Sequence, residues 1–285
     1  MKVPKRLRPL VDEGIIDEVI RPLMSGKEAD VFIVRCGNKV RCAKIYKDAV
    51  KRSFKKAAQY TEGRRVRNSR RARAMEKGSK FGRKQQEETW QNAEVDALYR
   101  LDRAGVRVPE PYGCFDGVLL MELITDEDGN VAPRLNDVGM SEEQALEDHA
   151  QVMQDVVRML CAGLVHGDLS EFNVLVDEDG PVIIDLPQAV DAAANNNAYS
   201  MLTRDVDNMT AYYGLFAPSL LTTRYAQEIW ELYEEGELHP DTVLTGYAEE
   251  DTHTADVDSV MLEIKAALEE EQARQERLRD AEEPE

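Results

Sequence analysis

Cysteine is scarce in this chain, and its spacing provides neither a metal site nor a disulfide framework. Four cysteines and four histidines are spread over 285 residues. Structural zinc sites and small disulfide-rich domains need denser ligands, and no Cys-x-x-Cys pair occurs. We therefore expect free, buried thiols in a reducing compartment, and hence a cytoplasmic protein. The four thiols are those of Cys36, Cys42, Cys114 and Cys161.

Long apolar runs are also missing. No stretch approaches the ~18–20 apolar residues that a membrane helix needs. The basic residues 1–10 are followed by Val11-Asp12-Glu13-Gly14 and not by an apolar segment, so a cleaved secretory signal is not expected. With 42% hydrophobic residues, the chain can form a real core, as one large domain or two small ones.

Charge is divided unevenly within a net charge of -19. Residues 47–84 hold 15 Lys and Arg against 3 Asp and Glu, whereas residues 231–285 hold 19 acidic and 4 basic residues. The basic segment has no sustained apolar face, so we expect a flexible loop with helical turns. This segregation indicates two separate roles, or a tail that screens the basic segment.

The hydrophobic pattern predicts strands in the first part of the chain. They are expected over residues 19–46, with a hairpin turn at 36–39, and again near 106–115 and over 118–124. Between them, apolar residues at three- and four-residue steps predict a helix over 85–104.

Helices dominate the second part. Ser141-Glu142-Glu143-Gln144 fits a capping box, with Ser141 as the N-cap of a helix. Strands early and helices late are typical of an α+β fold. The elements expected after the capping box are a helix to about residue 162, a small hairpin over 174–184, helices over 199–235 interrupted near Pro218, and a last helix over 256–280.

The strongest local motif is His166–Asn173, which reads His-Gly-Asp-Leu-Ser-Glu-Phe-Asn. An aspartate, four residues and an asparagine have the spacing of the protein-kinase catalytic loop, with Gly167 in place of the usual arginine. Asp185 follows twelve residues after Asn173, directly behind a short apolar strand. A buried Asp-Asn turn that caps a helix would explain Asp168 alone, but not the whole set.

These residue types suit phosphoryl transfer, which needs positioning and neutralised charge more than covalent help. Asp168 would orient the attacking hydroxyl or accept its proton. Asn173 and Asp185 would supply hard oxygen ligands to magnesium, which binds few protein groups and retains phosphate oxygens and water. The set predicts an ATP- and Mg²⁺-dependent phosphotransferase.

Upstream residues would hold the nucleotide. Lys44 ends an early strand, and Glu94 lies on the next predicted helix, where kinases place the carboxylate that pairs with their phosphate-binding lysine. A lone strand lysine would instead simply be solvated. No G-x-G-x-x-G loop precedes Lys44. The residues there are Met24–Phe32, in which the hydroxyl of Ser25, the ammonium of Lys27 and backbone N–H groups can still cover phosphates.

Three motifs resemble those of the RIO family of atypical protein kinases. They are Ser25–Phe32 (Ser-Gly-Lys-Glu-Ala-Asp-Val-Phe), His166–Asn173 and Ile184–Val190 (Ile-Asp-Leu-Pro-Gln-Ala-Val). They stand in the family's order, and the resemblance covers about residues 20–215. The alanine after Lys-Glu is similar to that of the first, archetypal subfamily.

The resemblance implies a two-lobed, protein-kinase-like fold that is trimmed, without a full activation segment. It implies serine autophosphorylation or ATPase activity. We expect a kinase domain over 19–250 that contains the basic insertion. The expected parts are an extension over 1–18, an N-lobe over about 19–124, a C-lobe over about 125–250 and an acidic helical tail over 251–285.

Individual roles also follow from the resemblance, position by position. Asp168 is the implied proton acceptor, and Asp185 is an implied metal ligand and transient phospho-acceptor. Asn173 is the other implied ligand of Mg²⁺, or of Mn²⁺ in its place. The implied ATP-binding residues are Ser25, Lys27, Lys44, Glu94, Met121 in the adenine pocket, and the hinge of Glu122, Leu123 and Ile124.

Two other functions fit the sequence. Small-molecule kinases of the aminoglycoside and choline type share a His-x-Asp-x-x-x-x-Asn loop, although the Ser-Gly-Lys-Glu-Ala loop and the Asp-Leu-Pro-Gln segment argue against them. A ribosome- or RNA-binding module, whose ATP use times its release, would account for the basic residues 47–84. That segment could equally be a solvated loop. Binding of RNA through it would weaken steeply with salt.

Overall fold

The computed structural model describes residues 3–26, 29–47 and 93–248. Five strands of this part of the chain form the N-lobe sheet: β1 Glu18–Ser25, β2 Ala29–Cys36, β3 Lys39–Tyr46, β4 Pro111–Phe115 and β5 Val118–Glu122. All neighbouring strands are antiparallel, and their order is β1-β2-β3-β5-β4.

The β2–β3 hairpin confirms the predicted turn. Cys36 pairs with Lys39, and Gly37 has a φ of 60°, which glycine adopts without a Cβ clash. The register puts Lys44 opposite Val31 on β2, and β5 pairs with the other edge of β3. Backbone ladders on both sides therefore fix the position from which Lys44 projects.

The segment before β1 packs on the sheet. It contains α1 Arg8–Asp12, and the side chains of Leu7, Leu10 and Ile16 are at most 2% exposed. These three residues share a hydrophobic cluster with buried residues of β2, β3 and β5. The residues predicted as an extension thus contribute to the N-lobe core, while the domain boundaries themselves stay predictions.

The helix that follows the basic segment is described over residues 93–103, and is α2 here. The first part of the predicted helix, residues 85–92, lies outside the described residues. Val95, Leu98 and Leu101 lie on one side of α2 and belong to the largest hydrophobic cluster among the described residues. Gly105 follows the helix with a φ of 75°.

The strand predicted near residues 106–115 is shorter than expected, because β4 begins only at Pro111. Pro109 and Pro111 have no N–H to donate to a ladder, so regular pairing is confined to the end of the segment. The residues before β4 bond elsewhere. The carbonyl of Arg107 accepts a hydrogen bond from the N–H of Ile183 at 2.8 Å.

The C-lobe is mostly helical, which confirms the α+β prediction. Its helices are α3 Glu142–Cys161, α4 Ala198–Tyr213 and α5 Tyr225–Glu235, with 3-10 turns at Leu135–Asp137 and Pro218–Thr222. Its short antiparallel pairs are β6 Leu164–Val165 with β9 Val190–Asp191, and β7 Val174–Asp177 with β8 Gly180–Ile183.

Local sequence signals account for the boundaries of these elements. The Ser141 hydroxyl accepts a hydrogen bond from the N–H of Gln144 at 3.2 Å, which confirms the predicted cap of α3. The predicted hairpin over 174–184 is β7 and β8. The expected interruption near Pro218 separates α4 from α5.

The expectation of four buried thiols is wrong for three of them. All four are free, but only Cys42 is buried, Cys36 is half-buried, and Cys114 and Cys161 are exposed. Cys114 lies on β4, which is an edge strand, and Cys161 is the last residue of α3. Edge strands and helix ends face solvent on one side. A cysteine at such a position can therefore be exposed, and its residue type alone does not predict its burial.

Within the described part of the chain, no helix is both long and apolar enough to cross a membrane. The predicted last helix over 256–280 lies outside the described residues, as do residues 48–84 of the basic segment.

Candidate active site

A lysine held between two carboxylates forms the centre of the site. The Lys44 ammonium on β3 lies 2.5 Å from Oε1 of Glu94 on α2 and 2.9 Å from Oδ1 of Asp185. Lys44 and Glu94 are 9% and 4% exposed, whereas the Asp185 side chain is 47% exposed. The contact that the sequence suggested between Lys44 and Glu94 is therefore present.

The ion pairs change the pKa values of Lys44 and Asp185. Burial alone would lower the pKa of Lys44, but Glu94 and then Asp185 raise it above its ordinary value. Burial would raise the pKa of Asp185, yet the nearby Lys44 ammonium lowers it overall. The half-exposed carboxylate is thus available to a cation.

Backbone geometry sets the direction of Asp185. Its φ is 66°, and only Asp116 shares a positive φ among the non-glycine residues that the structure describes. Left-handed conformations are uncommon outside glycine and tend to occur at functional sites, where the surrounding structure enforces them. Here, β8 ends at Ile183, and the turn that follows brings the Asp185 carboxylate back to Lys44.

Lys44 and Asp185, but not Glu94, line a cleft of about 560 Å³, a volume within the usual range for small-molecule sites. The predicted hinge forms part of its wall. Side chains from the N-lobe sheet and from the β7–β8 hairpin form other walls. The lining residues that the sequence had suggested are Lys44, Met121, Glu122, Leu123, Ile124, Asn173 and Asp185.

The nucleotide-loop residues show a different arrangement. The Ser25 hydroxyl donates to Oδ1 of Asp30 at 2.5 Å and accepts from the Lys47 ammonium at 3.1 Å. Lys47 also donates to the carbonyl of Gly26 at 2.7 Å. Met24 and Gly26 line the cleft, but Ser25 does not. Lys27 lies outside the described residues, so the roles of Ser25 and Lys27 stay predictions.

Side chains of α4 form hydrogen bonds to the backbone of the catalytic-loop motif, His166–Asn173. The carboxylate of Asp205 accepts hydrogen bonds from the N–H groups of Gly167 (2.6 Å) and Leu169 (3.0 Å). The Asn208 amide donates to the carbonyl of Leu169 at 3.0 Å. Burial raises the pKa of Asp205 to about 6, against the opposing effects of His166 and the two N–H groups. The two residues on either side of Asp168 are therefore fixed.

His166 joins this loop to the strand that precedes Asp185. Its Nε2 lies 3.1 Å from the carbonyl oxygen of Ile184, and its Nδ1 lies 3.3 Å from the N–H of Asp168. A neutral ring that donates from Nε2 and accepts at Nδ1 satisfies both contacts. The histidine of the motif thus sets the spacing between the two loops that hold Asp168 and Asp185.

Asn173 and Asp168 also contact each other. The side-chain nitrogen of Asn173 donates to the backbone carbonyl of Asp168 at 2.8 Å. The amide oxygen is therefore the atom of Asn173 that could bind a metal. The Asp168 carboxylate accepts, at Oδ2, a hydrogen bond of 2.9 Å from Nε2 of Gln188.

Several residues of the site were missed by the sequence reasoning. Asp205 and Asn208 lie three residues apart on α4, a spacing that puts them on one helix face but is common in any helix. Gln188 and Arg134 line the cleft. Gln188 lies within the third sequence motif, Ile184–Val190, which could have identified it. No motif or spacing in the sequence pointed to Arg134.

A two-lobed fold with a β3 lysine paired to a helix glutamate, above a loop with the Asp-x4-Asn spacing, defines a protein-kinase-like protein. A family model described as the RIO domain matches residues 30–226, which is more than half of the chain. The chain belongs to the RIO family.

Curated relatives agree with this assignment. The chain is 37% identical over 207 residues to the RIO-type serine/threonine-protein kinase Rio1 of Haloferax volcanii, covering 72% of this chain and 66% of that protein. It is 34% identical over 218 residues to the serine/threonine-protein kinase RIO1 of Homo sapiens, covering 75% and 36%. The chain thus spans just under two thirds of the first relative and about a third of the second.

A solved structure is similar at lower identity. The crystal structure of a kinase domain aligns over 87% of this chain and 83% of its own, with 15% sequence identity and a TM-score of 0.44.

Proposed function

We propose that the chain is an ATP- and divalent-metal-dependent phosphotransferase that acts on serine, as a protein kinase or autokinase, or that hydrolyses ATP. The observation that carries the proposal is the position of the Lys44 ammonium, within 2.9 Å of both Glu94 and Asp185 in a cleft that Asn173 also lines. The names of the relatives, both serine/threonine-protein kinases, support it.

The cleft suits each part of ATP. Its apolar wall at Met121 and the hinge Glu122–Ile124 suits the adenine, and Lys44 suits the α- and β-phosphates. This assignment of roles, like the subcellular location in the cytoplasm, is part of the proposal.

The donor set fits magnesium. Asp185 and Asn173 offer a carboxylate and an amide oxygen in one cleft, and Mg²⁺ takes few protein ligands of this kind. In the part of the chain described, no group of three or more His, Cys, Asp or Glu side chains could hold a metal. When bound, the metal neutralises charge on the transferring phosphate.

Asp168 carries the proton step. A serine hydroxyl attacks the γ-phosphorus, and the new O–P bond forms as the bond to the β-phosphate oxygen breaks. The hydroxyl proton passes to the Asp168 carboxylate, whose backbone is held by the contacts of Asp205 to the two neighbouring N–H groups. Asp185, ionised and half exposed, is the proposed transient phospho-acceptor when no serine is present.

The experiment compares the intact chain with Asp168→Asn. Each protein is incubated with γ-labelled ATP and Mg²⁺ or Mn²⁺, and labelled residues are mapped before and after hydroxylamine, which removes acyl phosphate but not phosphoserine. We expect the variant to lose roughly 10²–10⁴-fold in turnover, the usual contribution of a positioned acid or base. Its affinity for ATP should stay near that of the unmodified chain, because Asp168 acts on the hydroxyl.

The matched control is Asp102→Asn, a substitution of an exposed aspartate on α2. It should leave both turnover and ATP affinity unchanged. Turnover in Asp168→Asn equal to that of the unmodified chain would overturn the proposal. Transfer of label to amino alcohols or aminoglycosides in preference to serine would favour a small-molecule kinase instead.

A further inference from the structure

Gln188 makes a contact that the reaction as described above does not explain. Its side-chain nitrogen donates to Oδ2 of Asp168 at 2.9 Å, across twenty residues of sequence. Gln188 also lines the cleft, three residues after Asp185. One residue thus lies beside both the proposed proton acceptor and the turn that carries the proposed metal ligand.

The backbone at the Gln188 end of this contact is fixed. Leu186 and Ala189, on either side, are 2% and 7% exposed, and the N–H of Ala189 donates to the carbonyl of Leu186 at 3.0 Å. Directly afterwards, Val190 pairs with Val165 in the β6–β9 ladder. The half-buried Gln188 side chain therefore extends toward Asp168 from a rigid turn.

The Asp168 end is fixed as well. The N–H groups of its two neighbours in sequence are bound by Asp205, and its own N–H contacts His166. Asn173 bonds to its backbone carbonyl and not to its carboxylate. Among the described residues, the Gln188 amide is the one side chain whose hydrogen bond reaches the Asp168 carboxylate.

Taken with the proposed phosphotransfer, on which this inference rests, we propose that Gln188 is a positioning residue for Asp168. By holding Oδ2, the amide sets the rotation of the carboxylate, so that Oδ1 is the oxygen presented to the substrate hydroxyl. Because the Gln188 amide is neutral, it holds the carboxylate without placing a positive charge beside the proton acceptor. Gln188 belongs to the turn that follows Asp185. Its hydrogen bond therefore fixes the orientation of the Asp168 carboxylate relative to that of Asp185.

The first test is Gln188→Ala, assayed by phosphotransfer and by equilibrium binding of ATP in the presence of Mg²⁺. We expect kcat to fall about 10- to 100-fold, because a misaligned catalytic group costs up to about that factor. The Kd for ATP should change less than about twofold. The control is Gln151→Ala, which removes a 3.5 Å contact to the carbonyl of Asp179 and should keep the kcat of the unmodified chain.

The second test is Gln188→Glu, which keeps the length of the side chain. Two carboxylates within hydrogen-bond distance cannot both ionise easily, so one retains a proton to higher pH. The acidic limb of the pH profile of kcat should therefore move to higher pH in this variant, and by much less in Gln188→Ala. A side chain at position 188 that did not lie beside the Asp168 carboxylate would not move the limb.

A third readout does not depend on turnover. The side-chain amide resonance of Gln188, assigned by its loss in Gln188→Ala, should shift in Asp168→Ala and stay in place in Asp102→Asn. An unshifted amide resonance, an unchanged kcat in Gln188→Ala, or an unmoved acidic limb in Gln188→Glu would each overturn the positioning role. Failure of the proposed function would look different, since the unmodified chain would then transfer no phosphate while the amide shift persisted.

Discussion

The Lys44 ammonium contacts two carboxylates, those of Glu94 and Asp185. In the proposed function, this sharing sets how strongly Asp185 can bind a metal. Glu94 is the closer partner and is almost fully buried, whereas Asp185 is half exposed. Without Glu94, the ammonium would rely on Asp185 alone. In the proposed function, the buried glutamate would therefore affect metal binding without being a ligand.

We expect Glu94→Gln to weaken binding of Mg²⁺–ATP about tenfold, or roughly 1.4 kcal/mol. The reason is that Lys44 would be drawn more strongly to Asp185, which would then be less available to the cation. Isothermal titration of a non-hydrolysable ATP analogue, with and without Mg²⁺, measures the effect. The loss should be larger with the metal than without it.

Glu147→Gln is the matched control, because Glu147 is an exposed residue of α3 and should leave binding unchanged. Equal affinity in Glu94→Gln and the unmodified chain would contradict the role given to Glu94. An equal loss with and without Mg²⁺ would restrict that role to holding Lys44 against the phosphates.

The sequence predicts those site residues whose spacing along the chain is fixed by one short loop or strand. Asp168 and Asn173 share one short loop, and Asp185 follows a four-residue strand, so their separations are readable. Asp205 could not be found this way, because it reaches a loop 36 to 38 residues away, and an aspartate on a helix has no distinguishing pattern.

At the scale of elements, the segment after α2 attaches the N-lobe helix to the C-lobe. Arg158 on α3 donates to the carbonyl of Gly105 at 3.3 Å. Arg107 makes two hydrogen bonds, of 2.9 and 2.7 Å, to the carboxylate of Asp177 at the end of β7. Glu94 lies on α2, so these contacts connect the helix that carries it to the C-lobe. The late start of β4, which the sequence missed, leaves this segment free to make them.

Asp155 is the buried acid of this junction, and it should make stability depend on pH. Burial raises its pKa from 3.8 to about 6, although the N–H of Arg107 and the Arg158 guanidinium oppose the change. Because the folded value is the higher one, the contribution is full below pH 3.8 and is lost as pH rises through 6. The loss amounts to roughly 3 kcal/mol at most, at about 1.36 kcal/mol per pKa unit.

Urea unfolding of Asp155→Asn at several pH values between about 4 and 7 tests this. The variant should lack the part of the pH dependence that Asp155 supplies, so its stability relative to the unmodified chain should rise with pH. Asp102→Asn, on exposed α2 surface, should follow the unmodified chain at every pH. Parallel curves for Asp155→Asn and the unmodified chain would show that Asp155 has an ordinary pKa.

At the scale of the whole molecule, the charges form two blocks of opposite sign. Residues 47–84 have an excess of twelve basic residues in a chain of net charge -19, and residues 231–285 have an excess of fifteen acidic ones. The chain divides into two units after Tyr247. A cut at that position removes most of the acidic block and keeps the site.

We propose that residues 47–84 contact RNA or another acidic surface, and that the acidic block competes with it. Truncation after Tyr247 should then raise affinity for a single-stranded RNA, measured by fluorescence anisotropy at two salt concentrations. Affinity should fall as salt rises, because bound phosphates release counterions. Phosphorylation of Ser53, Ser69 or Ser79 would add about -1.5 to -2 charges each and weaken the contact.

A triple variant, Arg64→Gln with Arg65→Gln and Arg67→Gln, tests the basic segment directly. It should weaken RNA binding and make the salt dependence shallower, while ATP binding stays the same. Truncation that leaves RNA affinity unchanged would remove the competition by the acidic block. Affinity that does not respond to salt would remove the electrostatic contact itself.

The buried thiol in the wall of the cleft has a consequence for chemical inhibition. Cys42 lines the same cleft as Lys44, but burial raises the pKa of its thiol to about 12, so very little reactive thiolate exists at neutral pH. An electrophilic compound would meet the exposed Cys114 and Cys161 first. Selective inhibitors of this pocket should therefore be built as reversible binders shaped to Cys42 and Met121, and not as covalent warheads aimed at the cysteine.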